Sequence, residues 1–315
     1  MQSEDGGSEP RQAEVTGGTR GPSGLPVCIA CGGRRLKPMD YPLPRNELFR
    51  NLAVLVCQTC GFGAVKTPID PQRLHRYYED DYAGHAGREA KAAPERYFSD
   101  SALMFKPQRS LSQLRLAEGT LSGAPRTILD VGAGFGTTLF LARQQFWPEA
   151  ELLAVEPDAS MAGYLSRAGC RQLASPQQVD PGSCDLIVAS HVLEHYQEEE
   201  ILDILGALRT LLSPRGWILA EVPNSDFSAD PDIAGHSHEP HLLFFSKKSL
   251  RQVFERCGLR VSFLDTVGPV RRRGLGDRLG NRLRRLAGRP ASEYGGNRAA
   301  LRILAQAPSS AGGSV

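Results

Sequence analysis

The sequence predicts an α/β fold with a mostly parallel sheet, and two observations carry this prediction. From about residue 126 onward, short apolar runs alternate with longer segments in which apolar residues recur at helical spacing. Strands that alternate with helices in this way form βαβ units, which build parallel sheets. The strand-like runs are TILDVG, ELLAVEP, CDLIVAS, GWILAEVP, LRVSFLDTV and ALRILAQAP, and the helical segments include TTLFLARQQF, ASMAGYLSRAG and SKKSLRQVFERCG.

The composition is that of an ordinary globular protein. The chain has 315 residues, of which 41% are hydrophobic and 23% are charged, and its formal net charge is +2. No apolar run approaches the roughly 18 residues that a membrane helix needs, and the N-terminus lacks the apolar core of a signal peptide. We therefore expect a cytoplasmic protein with reduced cysteines. The small net charge argues against a protein that coats nucleic acid, but is compatible with a local basic face.

The patterning also predicts how the chain is divided. Polar and glycine-rich composition without apolar periodicity marks both ends as tails, and an arginine-rich stretch interrupts the α/β region. The predicted segments are a disordered tail at 1–26, a cysteine-bearing unit at 27–71, a helical linker at 72–125, the α/β domain at 126–308 with a basic insertion at 269–298, and a tail at 309–315.

Four cysteines in the N-terminal unit form two Cys-x-x-Cys pairs, and each pair is followed by a glycine that eases a tight turn. Two such turns supply the four sulfurs that a structural Zn²⁺ prefers, and a closed four-sulfur site leaves no position for a substrate. A redox role for these cysteines is less supported by the sequence, because thioredoxin-type sites use one pair within a βαβ fold. The predicted zinc ligands are Cys28, Cys31, Cys57 and Cys60.

The segment ILDVGAGFGTTL, residues 128–139, joins the first strand of the α/β region to its first helix. A dinucleotide-binding loop would place a third glycine at Thr137, whereas here the third glycine is Gly136. Asp130 stands two residues before the first glycine, where it would repel a pyrophosphate and attract a cationic ligand. Glu156 ends the next strand and can accept both hydroxyls of a ribose. This pattern favours S-adenosylmethionine (SAM) over a dinucleotide or a turn without a ligand.

With these motifs, the chain resembles class I SAM-dependent methyltransferases from about Tyr97 to Pro308. The resemblance rests on LDVGAGFG, AVEPD, CDLIVASHVLEH, LRTLLSPRGWILAEVPN and HLLFFSKKSLRQVFERCGLRV. The segment CIACG…CQTCGFGAVKTPIDPQRLHRYYEDDY resembles the zinc ribbon that is fused to methyltransferases of sugar, polysaccharide and natural-product pathways. The resemblance implies a Rossmann-like, mostly parallel seven-stranded sheet with helices on both faces, plus a small N-terminal zinc ribbon. It also implies methyl transfer to a sugar or a natural-product intermediate.

The resemblance assigns roles to residues around the cofactor. It places the methionine part of SAM against Asp130, Gly132, Gly134 and Gly136, the ribose against Glu156, the adenine between Pro157 and Asp158, and the sulfonium near Ser190 and His191. Related enzymes often carry an acid after the third strand for the adenine amine. This chain has Ala174 and Ser175 there, so Ser175 or a backbone group would take that contact.

Transfer to oxygen or carbon requires a group that removes a proton, and histidine suits that task near neutral pH. GHSHEPHLLFF follows the fifth strand and resembles the HEH feature of zinc-ribbon sugar C-methyltransferases, although Pro240 interrupts it. His238 and His241 are therefore candidate bases, and His191 is a third. The simpler alternatives are that His241 packs against LLFF, that the other histidines of this loop are solvated, and that HVLEH only shapes the cofactor pocket.

The segment Arg271–Arg289 combines eight arginines with leucines on one helical face. It could clamp the phosphate of a nucleotide- or lipid-linked sugar, contact a membrane surface, contact RNA, or be a solvated helix packed on the core. An anionic small-molecule acceptor is the favoured functional reading. The alternatives for the whole protein are an RNA methyltransferase that uses the ribbon to bind RNA, and a non-catalytic module that keeps the methyltransferase fold.

Overall fold

A computed structural model gives the fold and describes residues 26–41, 48–49, 52–67, 69–77, 92–101, 103–225, 241–268 and 299–308. The strands in chain order are β1 (Leu36–Asp40), β2 (Ala53–Cys57), β3 (Gly63–Val65), β4 (Thr127–Val131), β5 (Glu151–Val155), β6 (Arg171–Leu173), β7 (Cys184–Ser190), β8 (Leu212–Pro223), β9 (Leu243–Phe244), β10 (Arg260–Val267) and β11 (Ala300–Gln306). The helices are α1 (Pro71–Arg76), α2 (Pro94–Ser99), α3 (Pro107–Glu118), α4 (Thr137–Gln145), α5 (Ala162–Ala168), α6 (Ile201–Leu211) and α7 (Lys247–Arg256).

The larger of two sheets has seven strands in the order β10-β11-β8-β7-β4-β5-β6. The strands from β8 to β6 are parallel to one another, while β11 pairs antiparallel with both β8 and β10. The parallel strands β4, β5, β7 and β8 are mostly buried, as expected where helices cover both faces of a sheet, whereas the edge strand β6 is largely exposed. The predicted Rossmann-like, mostly parallel seven-stranded sheet is confirmed.

Two hydrophobic clusters show that both faces of this sheet are covered. One face packs against α6 and α7, whose apolar sides contribute Ile201, Leu205, Leu250 and Phe254. The other face packs against α3, α4 and α5 through residues such as Leu114, Leu139 and Leu165. Helix α3 lies in the stretch that the sequence predicts to be a helical linker, yet it forms part of the layer that covers the sheet and borders the site described below.

The smaller sheet is antiparallel, with the strand order β1-β2-β3-β9. Its first three strands belong to the cysteine-bearing unit, whereas β9 comes from the chain after β8. Zinc is expected to replace a core in so short a unit, but the structure shows a hydrophobic cluster on this sheet as well. That cluster is possible because Leu242 and Phe244, next to and within β9, pack against Tyr41, Phe49 and Tyr77.

Polar contacts attach the small sheet to the larger domain at several points. Lys66 forms a buried ion pair with Glu198, just before α6. The Ser246 hydroxyl, which caps α7, donates to the Cys60 carbonyl at 2.5 Å, and the Lys248 ammonium donates to the Thr59 carbonyl at 2.8 Å. These contacts and β9 fix the cysteine turns against the helical layer. Within the described ranges, no helix is both long and apolar enough to cross a lipid bilayer.

Candidate functional site

A pocket opens at the carboxyl ends of β4 and β7, the edge of a parallel sheet at which ligands of such folds bind. One wall is the loop between β4 and α4, and the opposite wall is the start of α3. The lining residues are Phe105, Lys106, Arg109, Ser110, Asp130, Gly132, Ala133, Gly134, Phe135, Thr137, Thr138, Ser190 and His191.

The loop requires glycine at specific positions. Gly132, Gly134 and Gly136 have φ angles of 70°, 54° and 70°, in the left-handed region that side chains disfavour. A Cβ atom added at Gly132 would also lie 2.4 Å from Cγ2 of Val192. Gly136 is the residue from which α4 begins. The backbone can therefore approach a ligand closely here, and the N-terminus of α4 directs its amides toward the same space.

Asp130, within β4 and two residues before the first of these glycines, is a buried carboxyl group with an unusual proton affinity. Its exposed fraction is 3%, and burial raises its pKa to about 8, with a smaller contribution from the negative charge of Glu156. Both causes disfavour the ionised form. A cationic group in the pocket would reverse that preference, because it would stabilise the carboxylate directly.

Glu156 follows β5 and turns back toward the glycine loop. Its Oε2 accepts a hydrogen bond from the Gly134 amide at 2.5 Å, and its Oε1 accepts one from the Asp158 amide at 3.1 Å. Asp158 in turn accepts hydrogen bonds from the amide and hydroxyl of Ser160, and so caps the following turn. Each Glu156 oxygen is oriented by one backbone donor, and a carboxylate oxygen can accept a second donor from a ligand hydroxyl.

The structure brings most of the predicted cofactor residues together. Five of them line the pocket, namely Asp130, Gly132, Gly134, Ser190 and His191. Gly136 ends the loop at the start of α4 and Glu156 accepts a hydrogen bond from the Gly134 amide, while Pro157 and Asp158 follow directly on Glu156. The region of Ala174 and Ser175 forms a capped turn in which both backbone amides donate to Oε1 of Gln178. How an adenine would be held there stays a prediction.

His191 occupies a strained position at the pocket wall. Its φ angle is 58°, and its amide donates to the Glu221 carbonyl at 2.7 Å. Its Nδ1 lies 3.3 Å from Glu194 Oε1, and its Nε2 lies 3.6 Å from Glu221 Oε1. Burial and the charge of Arg109 lower the pKa of His191, but the two carboxylates outweigh them and the pKa is raised overall. The imidazole is thus a basic group clamped between two acids.

Glu221, on β8, is the centre of a buried polar network beneath the pocket. Its Oε2 accepts from Arg302 Nε at 2.8 Å and Nη2 at 2.6 Å, and from Gln113 Nε2 at 3.1 Å. Gln113 Nε2 also donates to the Ser190 hydroxyl at 2.8 Å. Burial alone would raise the pKa of Glu221, but the nearby His191 ring and the charge of Arg302 hold it well below its usual range.

The sequence prediction missed Glu221, Arg302, Gln113 and the two cationic residues Lys106 and Arg109 at the pocket wall. A signal for the first pair was present, because GWILAEVP and ALRILAQAP each carry a single charged residue within an apolar strand. The charges are opposite, and the two residues are direct partners across β8 and β11. No local pattern predicts that α3 places Lys106 and Arg109 opposite the glycine loop.

The predicted catalytic histidines do not all meet at the pocket. His191 lines it. His241 is 2% exposed and lies behind it, where its ring is 5.2 Å from the ring of His195 and its ligand atoms are near Glu194. His238 lies outside the described residues, as does the whole of Arg271–Arg289.

The four cysteines converge. Sγ of Cys28 is 3.6 Å from that of Cys60, Sγ of Cys31 is 3.6 Å from that of Cys57, and all four lie within 4.8 Å of one another. In a tetrahedral site with Zn–S bonds of about 2.3 Å, the sulfurs are about 3.8 Å apart. The glycines after each pair, Gly32 and Gly61, have φ angles of 71° and 73°, as tight turns require. The geometry fits a four-sulfur zinc site.

The family and the relatives that this chain matches are methyltransferases, in agreement with the geometry of the pocket. A family described as a methyltransferase domain matches residues 104–262. The protein "Methyltransferase str3" of Strobilurus tenacellus is 33% identical over 102 residues, which cover 31% of this chain and 36% of that protein. "C-methyltransferase NovU" of Streptomyces niveus is 24% identical over 257 residues, which cover 75% of this chain and 50% of that protein. The chain therefore spans half or less of the length of these curated relatives.

Among solved structures, one similar chain is the 1,6-didemethyltoxoflavin-N1-methyltransferase of Burkholderia thailandensis, crystallised with 1,6-didemethyltoxoflavin and S-adenosylhomocysteine. The TM-score is 0.48 and the sequence identity is 18%, and the match covers 81% of this chain and 95% of that chain.

Proposed function

Because the chain belongs to the SAM-dependent methyltransferases, we propose that it transfers the methyl group of SAM to a small molecule of a sugar or natural-product pathway. The cofactor supplies an electrophilic methyl group on a sulfonium, and the protein supplies alignment and removal of a proton from the acceptor. The observation that carries the proposal is the pocket at the end of β4, where the glycine loop, Asp130 and Glu156 meet.

The chemistry of the two acids supports this placement of the cofactor. Asp130 is buried in the pocket wall, where the cationic amino acid part of SAM would offset the cost of its negative charge. Glu156 is held by the Gly134 amide and faces the loop, a geometry that suits acceptance of ribose hydroxyls. We propose that Pro157 and Asp158 flank the adenine, and that Ser190 and His191 face the reacting methyl group.

The acceptor is proposed to be anionic, and C-methylation is the favoured reaction. Lys106 and Arg109 line the pocket, where a phosphate or carboxylate of the acceptor would be attracted. Lys106 contributes most of this attraction, because Arg109 Nε lies 3.4 Å from the Glu221 carboxylate. The arginines of Arg271–Arg289 would add positive charge if that segment reaches the pocket. The name of the Streptomyces niveus relative, which covers three quarters of this chain, supports carbon as the acceptor atom.

His191 is the best placed of the proposed bases, because it lines the pocket at the carboxyl end of β7 while His241 lies behind it. Its two carboxylate neighbours fix the ring from both sides. An acceptor held between Lys106 and the glycine loop would be within reach of this wall of the pocket. His238 stays a candidate by sequence.

The cysteine cluster is proposed to hold one structural Zn²⁺ through Cys28, Cys31, Cys57 and Cys60. It supports the position of β9 and of the α7 N-terminus, because the Cys60 and Thr59 carbonyls accept hydrogen bonds from Ser246 and Lys248. Metal analysis should find one zinc per chain, lost in Cys57→Ser together with the folded ribbon. Zinc retained at full stoichiometry in that variant would contradict the four-cysteine site.

The cofactor site can be tested with a matched pair of glycine variants. Gly132 and Gly182 have nearly the same φ angle, 70° and 72°, but only at Gly132 would a Cβ meet another side chain and narrow the pocket. We expect Gly132→Ala to weaken SAM binding in calorimetry at least tenfold, about 1.4 kcal/mol. Gly182→Ala should bind SAM as the wild type does. Equal affinities in the two variants would place the cofactor elsewhere.

The acceptor class is tested with methyl-labelled SAM. We expect the label to enter sugar nucleotides or small natural products that carry a phosphate or carboxylate, at ionic strengths that leave the pocket charges effective. Label that enters only RNA, with retention of RNA that falls steeply with salt, would favour the RNA methyltransferase instead.

A further inference from the structure

Beside the cofactor pocket, three metal-ligating side chains converge that do not line it, although one of them, Glu194, contacts His191. Glu194, His195 and His241 each offer a ligand atom, and these atoms lie within 4.8 Å of one another. Glu194 is 1% exposed, His241 is 2% exposed and His195 is half-buried. We propose that this cluster is a binding site for a divalent transition-metal ion, separate from the cysteine site.

The donor set matches that ion class. Two imidazoles and one carboxylate suit late first-row divalent metals such as Co²⁺, Ni²⁺ and Zn²⁺, whereas Mg²⁺ and Ca²⁺ prefer oxygen ligands alone. Ligand atoms about 2.0–2.2 Å from a common ion lie roughly 3–4 Å apart. The observed separations therefore require only small rotations of the side chains to reach bonding distance.

The state of Glu194 is the second observation that points to a cation. In the described part of the chain neither carboxylate oxygen has a hydrogen bond, although Oε1 lies 3.3 Å from His191 Nδ1. A buried carboxylate costs free energy unless hydrogen bonds or a counter-charge satisfy it. The His191 ring lies beside Oε1, and an ion between Glu194 and the other two histidines would balance the negative charge at Oε2.

The backbone already holds the ligands in place. Glu194 and His195 share a short 3-10 turn after β7, and the Glu194 carbonyl accepts a hydrogen bond from the Leu242 amide at 2.8 Å. The hydroxyl of Tyr41 donates to the His241 carbonyl and accepts from the His241 amide, both at 2.9 Å. A prearranged ligand set of this kind loses little entropy when the ion binds.

An ion here would cross-link two segments that are distant in sequence, the turn after β7 and the chain that leads into β9. It would also stand directly behind His191, which contacts Glu194 on one side and lines the pocket on the other. None of its three ligands lines the cofactor pocket, so SAM binding does not require the ion, although Glu194 also contacts the proposed base His191.

The test uses the full chain without a histidine tag, loaded with zinc and then dialysed against Co²⁺. We expect one Co²⁺ per chain in addition to one zinc, with the visible absorption of nitrogen- and oxygen-ligated cobalt. Glu194→Gln, which keeps the side-chain size, and His195→Asn, which leaves a smaller polar group, should each weaken Co²⁺ binding at least about 100-fold, since even outer-sphere partners of metal ligands contribute 10–100-fold. The control His75→Ala changes a histidine on α1 and should bind as the wild type does.

Absence of Co²⁺ beyond the zinc content, or equal Co²⁺ affinity in the wild type and Glu194→Gln, would overturn the proposal. Circular dichroism and the one zinc per chain show whether each variant is folded. SAM calorimetry on the cobalt-free protein keeps the two hypotheses apart, because SAM binding should be unchanged by a missing second metal.

Discussion

Two buried carboxylates of the central sheet, Asp130 on β4 and Glu221 on β8, have opposite electrostatic surroundings. Glu221 is fully buried but accepts hydrogen bonds from Arg302 and Gln113, and its pKa is lowered. Asp130 is almost as buried, but its neighbour Glu156 is another acid, and its pKa is raised to about 8. The two positions are separated by a single strand, β7.

This difference indicates that Glu221 stabilises the fold, whereas Asp130 is available to a ligand. The charge of Glu221 is balanced within the fold, so it stabilises the protein whether or not a ligand is bound. The charge of Asp130 is left to be balanced by whatever enters the pocket, so its cost is removed only when a cation binds. The affinity for a cationic ligand is higher for this reason, because the charge of the ligand offsets the cost of ionising Asp130. SAM, the proposed cofactor, is such a ligand.

The largest effect is expected from breaking the balanced pair. Arg302→Met removes two hydrogen bonds from the buried carboxylate of Glu221. Gln113 remains beside it and Arg109 Nε lies 3.4 Å from its Oε1, so the free energy of unfolding should fall by about 3 kcal/mol in urea denaturation. The double variant Glu221→Met with Arg302→Met should recover only part of this loss. Apolar side chains then face each other across β8 and β11, but the largely buried Arg109 loses its carboxylate partner. A single variant as stable as the wild type would show that the pair is not a source of stability.

A change of opposite sign, smaller per pH unit than the loss in Arg302→Met, is expected from Asp130→Asn. The raised pKa means that the folded protein keeps a proton on Asp130 that the unfolded chain releases above its ordinary value of 3.8. Stability from this group is therefore full at low pH and declines as the pH rises toward about 8, by at most about 1.4 kcal/mol per pH unit. The asparagine variant should lack this decline and exceed the wild type in stability near pH 8. Equal slopes of stability against pH in both proteins would contradict the shift.

The same substitution should cost affinity for SAM. Because the cation favours the ionised form of Asp130, binding in the wild type releases a proton and tightens as the pH rises through the range below about 8. Calorimetry in buffers of different ionisation enthalpy measures that proton, and Asp130→Asn should show neither the release nor the pH dependence. The α-amino group of a ligand titrates near pH 8 as well, so the comparison is best made between about pH 6 and 7.

The sequence predicted those parts of the molecule that are encoded in short segments. Strand and helix alternation predicted the sheet, and LDVGAGFG with AVEPD predicted the residues that meet at its edge, because both segments end on adjacent parallel strands. The cysteine pairs predicted their own convergence, since each pair is made by one local turn.

Contacts between segments that are distant in the sequence could not be predicted from local patterns. The sequence predicts a helical segment where α3 lies, but nothing in it shows that Gln113 reaches Glu221 and Ser190. The sequence also does not predict that β9 joins the smaller sheet, since the apolar pattern of LLFF fits any buried strand. The sequence predicts His241 as a candidate base. Its neighbours in the structure, His195 and Glu194, depend on the register in which β9 pairs with β3.

The addition of β9 to β3 has a consequence for how the chain is made. Gly63 and Ala64 are paired with Phe244 and Leu243, so the fourth strand of the ribbon leaves the ribosome long after the first three. Roughly 180 residues at about 5–20 residues per second amount to roughly 10–40 s of synthesis. During that time β3 is an uncovered strand edge, the type of surface that invites pairing with other chains. Early metal capture by the cysteine turns would be most valuable in that interval, when the nascent ribbon still lacks the strand that completes it.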